Sequence, residues 1–166
     1  MQYLDINIDY NLDKVKDLIK SLLNKNIITK TEADSINPYK ILEFTKTDIW
    51  KDLKQAKEVY REKPFYINIP IKDILKNDTL DLNSIEDENI LVQGIIDLYY
   101  ISKEDELILL DYKTDYVEKG KENLLIEKYK KQLEIYKNAL EMALEKNVNK
   151  VFIYSVYLGK SILVKF

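Results

Sequence analysis

Apolar residues recur at helical spacing through the first third of the chain and then give way to alternating and continuous apolar runs. Leu12, Val15, Leu18, Ile19, Leu22 and Leu23 follow the helical period, which predicts an amphipathic helix of about three turns. Thr29 with Glu32 three residues later has the form of a capping box and opens a short second helix. Asn37-Pro38 supplies a cap and a proline at the first helical position, so a third helix runs through Ile41 and Phe44. Thr47-Asp48 starts a fourth, carrying Ile49, Trp50, Leu53 and Ala56. From Val59 to Ile69 the chain is β-branched and aromatic and reads as a strand, with Pro64 marking it as an edge or a bulge. Asp78 to Asn89 is polar and acidic and reads as a loop. Ile90 to Ile101 and Leu107 to Tyr112 are the strongest strands, and the turn-like Ser102-Lys103-Glu104-Asp105 between them predicts an antiparallel hairpin. A long helix is expected from about Asn123 to Lys146, then strands over Lys150 to Tyr157 and Ser161 to Phe166, turning at Leu158-Gly159-Lys160. The pattern predicts one α/β or α+β domain over residues 1–166, built on a mixed sheet, with a mainly helical part over 1–57 and the sheet and long helix over 58–166.

Composition narrows the chemistry. The chain has 166 residues, 46% hydrophobic and 33% charged, as an ordinary globular domain does. No apolar run reaches the roughly 20 residues that span a bilayer. There is no cysteine and no histidine. Disulfides, thiolate zinc sites, iron–sulfur clusters and histidine-dependent serine or cysteine hydrolysis are therefore excluded for these residues. A metal would have to be held by oxygen, which favours magnesium, manganese or calcium over zinc. The net charge of −3 supplies little counterion release, so nucleic-acid affinity from this chain alone is expected to be modest.

Two segments hold candidate chemistry, Gln93-Gly94-Ile95-Ile96-Asp97 and Asp111-Tyr112-Lys113. Residues two apart on a strand share a face, so Asp111 and Lys113 project together, and the hairpin can bring Asp97 beside them. An isolated Asp-x-Lys is usually a solvated face. Here both aspartates end otherwise apolar strands, where an unpaired carboxylate is costly. Two carboxylates can hold a divalent cation against a phosphodiester, and a neighbouring lysine can orient water and stabilise charge developing on phosphorus. Gly94 leaves room for a DNA backbone or a neighbouring strand.

Gly94-x-x-Asp97, Asp111-Tyr112-Lys113-Thr114-Asp115 and Gln132-x-x-x-Tyr136, in that order, resemble the RecB-type branch of the PD-(D/E)XK nucleases. Val59 to Phe65, Leu91 to Leu98 and Ile153-Tyr154-Ser155 extend the likeness to the C-terminal nuclease domain of AddA-type helicase–nucleases. The resemblance implies a restriction-endonuclease-like fold, with Asp97 and Asp111 as ligands of Mg2+ or Mn2+ and Lys113 as catalytic lysine. It implies that Gln132 and Tyr136, one helical turn apart, serve the site or the DNA, although Tyr129, Leu133, Tyr136 and Leu140 also form a plain core stripe. It gives Glu62 the place of an acidic residue near the site, a further ligand through water. By the same resemblance the chain acts on single-stranded ends of unwound duplex in double-strand break repair and recombination. It would do so in the bacterial cytoplasm at the nucleoid, beside helicase domains of a longer chain and an AddB-like partner, with ATP used only by the motor domains. The chain departs from the family in lacking an upstream histidine. Met1 to Leu4 resembles the stretch just after it, so that ligand is expected to precede Met1, and cleavage by these residues alone is expected to be slow.

Two rivals stand beside this reading. A stand-alone RecB-like exonuclease often carries a cysteine-bound iron–sulfur cluster, which this chain cannot hold. A catalytically inactive nuclease fold serving as a DNA-binding or docking module is compatible with the acidic charge.

Overall fold

A computed structural model describes residues 1–70 and 89–166. Most of the acidic stretch expected to be a loop, residues 78–88, lies outside the described residues, and Asn89 begins a strand. Four short helices come first: α1 (Leu12–Asn24), α2 (Lys30–Ser35), α3 (Pro38–Phe44) and α4 (Asp48–Gln55). The last three begin where their caps predict, and α1 follows a cap at Asn11. Asn11 accepts from Lys14 N, Thr29 and Glu32 exchange both capping-box bonds, Asn37 precedes Pro38, and Thr47 accepts from Trp50 N. Strands β1 (Glu58–Pro70), β2 (Asn89–Ile101) and β3 (Leu107–Lys113) follow, then helix α5 (Asn123–Leu144) and strands β4 (Val148–Ser155) and β5 (Lys160–Val164).

The five strands form one sheet in the order β1-β2-β3-β4-β5, antiparallel except where β3 and β4 run parallel across the α5 crossover. This is the mixed α+β architecture that the sequence pattern predicts. Alternation along the strands feeds two cores. Leu98, Tyr100, Ile108, Leu110 and Tyr154 pack under Phe44, Ile49, Trp50 and Leu53 of α3 and α4. Tyr99, Leu107, Leu109, Val151 and Ile153 pack under Leu125, Leu133, Ala139 and Leu140 of α5. The sheet is thus a middle layer with helices on both faces. Among the described residues, no helix is long and apolar enough to cross a membrane.

One irregularity positions everything that follows. The β1–β2 ladder keeps a constant register, Arg61 opposite Leu98 and Lys63 opposite Ile96, but the intervening Glu62 and Asp97 are not paired. Glu62 has φ of 50°, in the left-handed region that non-glycine residues seldom enter. On either side of this point the faces exchange. Tyr60 and Tyr99 face α5 on one side, whereas Phe65, Ile67 and Ile96 face it on the other. One residue has dropped out of the alternation in each strand, so the ribbon turns over while its pairing continues. Pro64 therefore sits both on an edge strand and next to an irregularity, as its lack of an N–H requires.

Candidate active site

The strands part at Asp97. The β2–β3 ladder ends at Leu98 opposite Leu110, one pair before Asp97 would meet Asp111, while β3 continues beside β4 as far as Lys113 opposite Ser155. In the fork, Asp97 Oδ2 accepts the backbone N–H of Tyr112 at 2.9 Å. A side chain thus replaces the missing backbone partner and holds Asp97 between the diverging strands. On its other side, Glu62 and Asp97 line a cleft of about 620 Å³ together with Met1, Leu18, Ile36 and Tyr112.

Asp111 is 2% exposed, the most buried charged side chain of the strand end. Lys113 Nζ lies 2.8 Å from Asp111 Oδ2. The contact is close but off-angle for a hydrogen bond, so that oxygen is buried with an ionic neighbour and without an aligned donor. Lys113 Nζ donates to Gln132 Oε1 at 2.8 Å, and Gln132 Nε2 donates to Tyr136 OH at 3.0 Å. Tyr136 stacks edge-on against Phe65 with ring centroids 5.4 Å apart. The chain from Asp111 through Lys113, Gln132 and Tyr136 therefore joins β3, α5 and β1. Helical spacing puts Gln132 and Tyr136 on one face of α5, and that face meets the strand end.

Burial pushes the Asp111 carboxyl up to about 6, against the downward pull of Lys113 and with Asp97 adding to the rise. Burial raises Glu62 above the ordinary carboxylate range, and Asp97 raises it further. The Met1 amino group, lowered mainly by burial, is pulled the other way by Glu62. Asp97 is thus the electrostatic neighbour of both Glu62 and Asp111. The sequence profile of the PD-(D/E)XK nuclease superfamily matches residues 12–162, spanning Glu62, Asp97, Asp111, Lys113, Gln132 and Tyr136.

The chain belongs to that superfamily. It is similar to the AddA protein, an ATP-dependent helicase/nuclease, of Thermoanaerobacter sp. (strain X514), 41% identical over 160 residues, which is 96% of this chain and 13% of that protein. The corresponding helicase/nuclease of Clostridium perfringens (strain 13 / Type A) is 37% identical over 168 residues, 99% of this chain and 13% of its own length. That of Clostridioides difficile (strain 630) is 35% identical over 160 residues, 93% of this chain and 12% of its own. The chain spans about an eighth of the length of these relatives.

PD-(D/E)XK nucleases generally use divalent metals. The oxygen donors here fit such an ion. Asp111 has a buried carboxylate oxygen without an aligned donor, and Asp97 faces it across the fork. Among the described residues no three acidic side chains gather into a cage. Two carboxylates are enough for magnesium when substrate phosphate and water complete the shell.

Gly94 and Tyr129 have neighbours that local spacing does not name. The space above Gly94 is filled from within the chain. A Cβ there would meet Phe65 Cε1 at 2.7 Å and Tyr136 Cε1 at 3.6 Å, so of the two neighbours expected at the glycine it is the adjacent strand, through the ring of its cross-strand partner Phe65, that comes close. Tyr129 packs against the core with Leu133, Tyr136 and Leu140, as the stripe predicts, and also has its ring centroid 4.2 Å from Lys113 Nζ and its hydroxyl on Asp115. Its place three residues before Gln132 puts it on the same face of α5, but nothing local says that this face meets a lysine.

Proposed function

We propose that this chain is a divalent-metal-dependent DNA nuclease domain that hydrolyses phosphodiesters, with Asp97 and Asp111 holding Mg2+ or Mn2+ and Lys113 as the catalytic lysine. The observation that bears most weight is the meeting of Lys113 with Asp111 and Gln132 beside Asp97 in the fork of the sheet. When bound, the ion would polarise the scissile phosphate and lower the pKa of an attacking water. Lys113 has a compact ammonium that can orient that water and stabilise charge on the phosphoryl oxygens. Gln132 accepts one of its protons and so limits its rotation. Tyr136 fixes Gln132 and is itself fixed by Phe65. Glu62 flanks Asp97, where a further water-mediated ligand is needed if the ion is to be held tightly.

The similarity to helicase/nucleases supports single-stranded ends of unwound duplex as substrate, in double-strand break repair and recombination. It also supports helicase domains in the same longer chain, an AddB-like partner, and work in the bacterial cytoplasm at the nucleoid.

The test is cleavage of single-stranded DNA with saturating Mn2+ or Mg2+. Wild type should cut, and Asp97→Asn and Asp111→Asn should not. Lys113→Ala should lose about 10²- to 10³-fold in rate while DNA affinity by fluorescence anisotropy stays nearly constant, because the lysine acts mainly in the transition state. Protein that binds DNA and never cuts it with metal saturating would make the domain a docking module.

A further inference from the structure

Lys113 is held by more than the residues its motif supplies. Its ammonium has three protons and meets three partners: Asp111 Oδ2 at 2.8 Å, Gln132 Oε1 at 2.8 Å, and the face of the Tyr129 ring, with the centroid at 4.2 Å. The ring is fixed in its turn. Tyr129 OH donates to Asp115 Oδ2 at 2.7 Å, and Asp115 Oδ1 is ion-paired with Lys128. Lys128 also approaches the same ring, at 5.0 Å from its centroid. Asp115 follows Lys113 by two residues and Tyr129 lies on α5. The contact therefore closes a loop from the end of β3 to the helix and back.

We infer that Tyr129 is a positioning residue for Lys113, a cation–π platform locked by Asp115. This rests on the reading of Lys113 as the catalytic lysine. The three partners differ in what they can do once a cation and a phosphate share the site. Asp111 is then committed to the cation, and its hold on the ammonium weakens. Gln132 and the ring remain. A ring face attracts the ammonium through its quadrupole, yet it neither ligates a hard cation nor accepts a proton. It keeps Lys113 aimed without competing for metal or repelling the phosphate, as another carboxylate would. The Asp115 hydrogen bond sets the tilt of the ring. Hydrogen bonds from Lys128 and Tyr129 keep Asp115 below the ordinary carboxylate range, so it stays an acceptor at neutral pH.

The test uses this chain, single-stranded DNA and saturating Mn2+. Tyr129→Leu should lower kcat about tenfold with KM nearly unchanged, whereas Tyr129→Phe, which keeps the ring, should stay within about threefold of wild type. Asp115→Asn, which weakens the hydrogen bond that Tyr129→Phe removes, should also stay within about threefold of wild type. A second readout does not need catalysis. In carbon–proton NMR spectra the Lys113 ε-methylene should be shifted upfield by the ring in wild type and Tyr129→Phe, and should return to an ordinary lysine position in Tyr129→Leu. An ordinary Lys113 position in the wild-type spectrum overturns the inference, whether or not Tyr129→Leu folds. So does a folded Tyr129→Leu that cuts like wild type, or a Tyr129→Phe that loses as much as Tyr129→Leu. Wild-type protein that never cuts but shows the ring shift would refute the nuclease reading and leave the placement of Lys113 standing.

Discussion

Asp111 sits where burial and charge oppose each other. Its carboxyl is held at about 6, above the ordinary 3.8, so the folded chain keeps a proton that the unfolded chain has already lost. A raised carboxyl pKa favours the folded state fully below the unfolded value and loses that advantage as pH rises to the folded value. Metal-free wild type should therefore lose stability between about pH 4 and pH 6. Asp111→Asn, which removes the buried charge, should be about 1–3 kcal/mol more stable than wild type near pH 8 and close to it near pH 4. Urea titrations in chelator at the two pH values measure this, and equal stability near pH 8 would mean that Lys113 offsets the burial completely. Gly94 makes a different kind of demand. Any Cβ there must push into the Phe65 ring, which is itself buried and packed on Tyr136. Gly94→Ala should cost about 1–3 kcal/mol in urea unfolding, and pairing it with Phe65→Leu should recover part of the loss.

The β1–β2 ribbon owes its shape to one backbone conformation. Glu62 at positive φ lets both strands exchange faces without changing register, which brings Phe65 and Ile96 under α5 and leaves Asp97 free to enter the fork. A left-handed non-glycine residue costs about 1–3 kcal/mol unless its surroundings require it. Glu62→Gly should consequently be at least as stable as wild type, while Glu62→Val, branched at Cβ, should unfold at lower urea by about 1–3 kcal/mol. If the two variants are equally stable, the turnover does not depend on that dihedral. The distal half of the ribbon is also where β2 and β3 separate, so the same conformation that strains Glu62 opens the space in which the carboxylates meet.

The two cores share their middle layer. Tyr99 and Leu109 point to α5, while Tyr100 and Ile108 point to α3 and α4, and all four belong to the same two strands. The helical part over residues 1–57 has no core of its own apart from that sheet. Trp50, 3% exposed and edge-on to Phe44 and Tyr10, is the only tryptophan and reports on this seam. We expect one cooperative transition, with Trp50 fluorescence and far-ultraviolet circular dichroism giving the same urea midpoint. A fluorescence transition that precedes the dichroism would divide the chain into two units. At this scale the net charge of −3 also limits what the domain does alone, because few phosphates can be neutralised without help from elsewhere.

The helix starts were legible because a cap and the residues it serves are three positions apart, and the β2–β3 hairpin because a short turn leaves few registers. The approach of Asp111 to Lys113 followed from strand alternation, which is also local. Asp97 reached the same place by a route that alternation does not describe. Its strand loses one residue from the ladder there, because a non-glycine residue on the neighbouring strand takes a positive φ that only the assembled sheet imposes. Tyr129 was visible as an apolar helix position, and nothing local distinguished a core ring from a ring under a lysine. That distinction depends on how α5 lies across the end of β3, a distance fixed by packing Leu125, Leu133 and Leu140 onto the sheet. Local spacing, then, determined the elements and which residues could share a face. Long-range packing decided which faces meet, because the free energy of burying them belongs to the whole core and to no single segment.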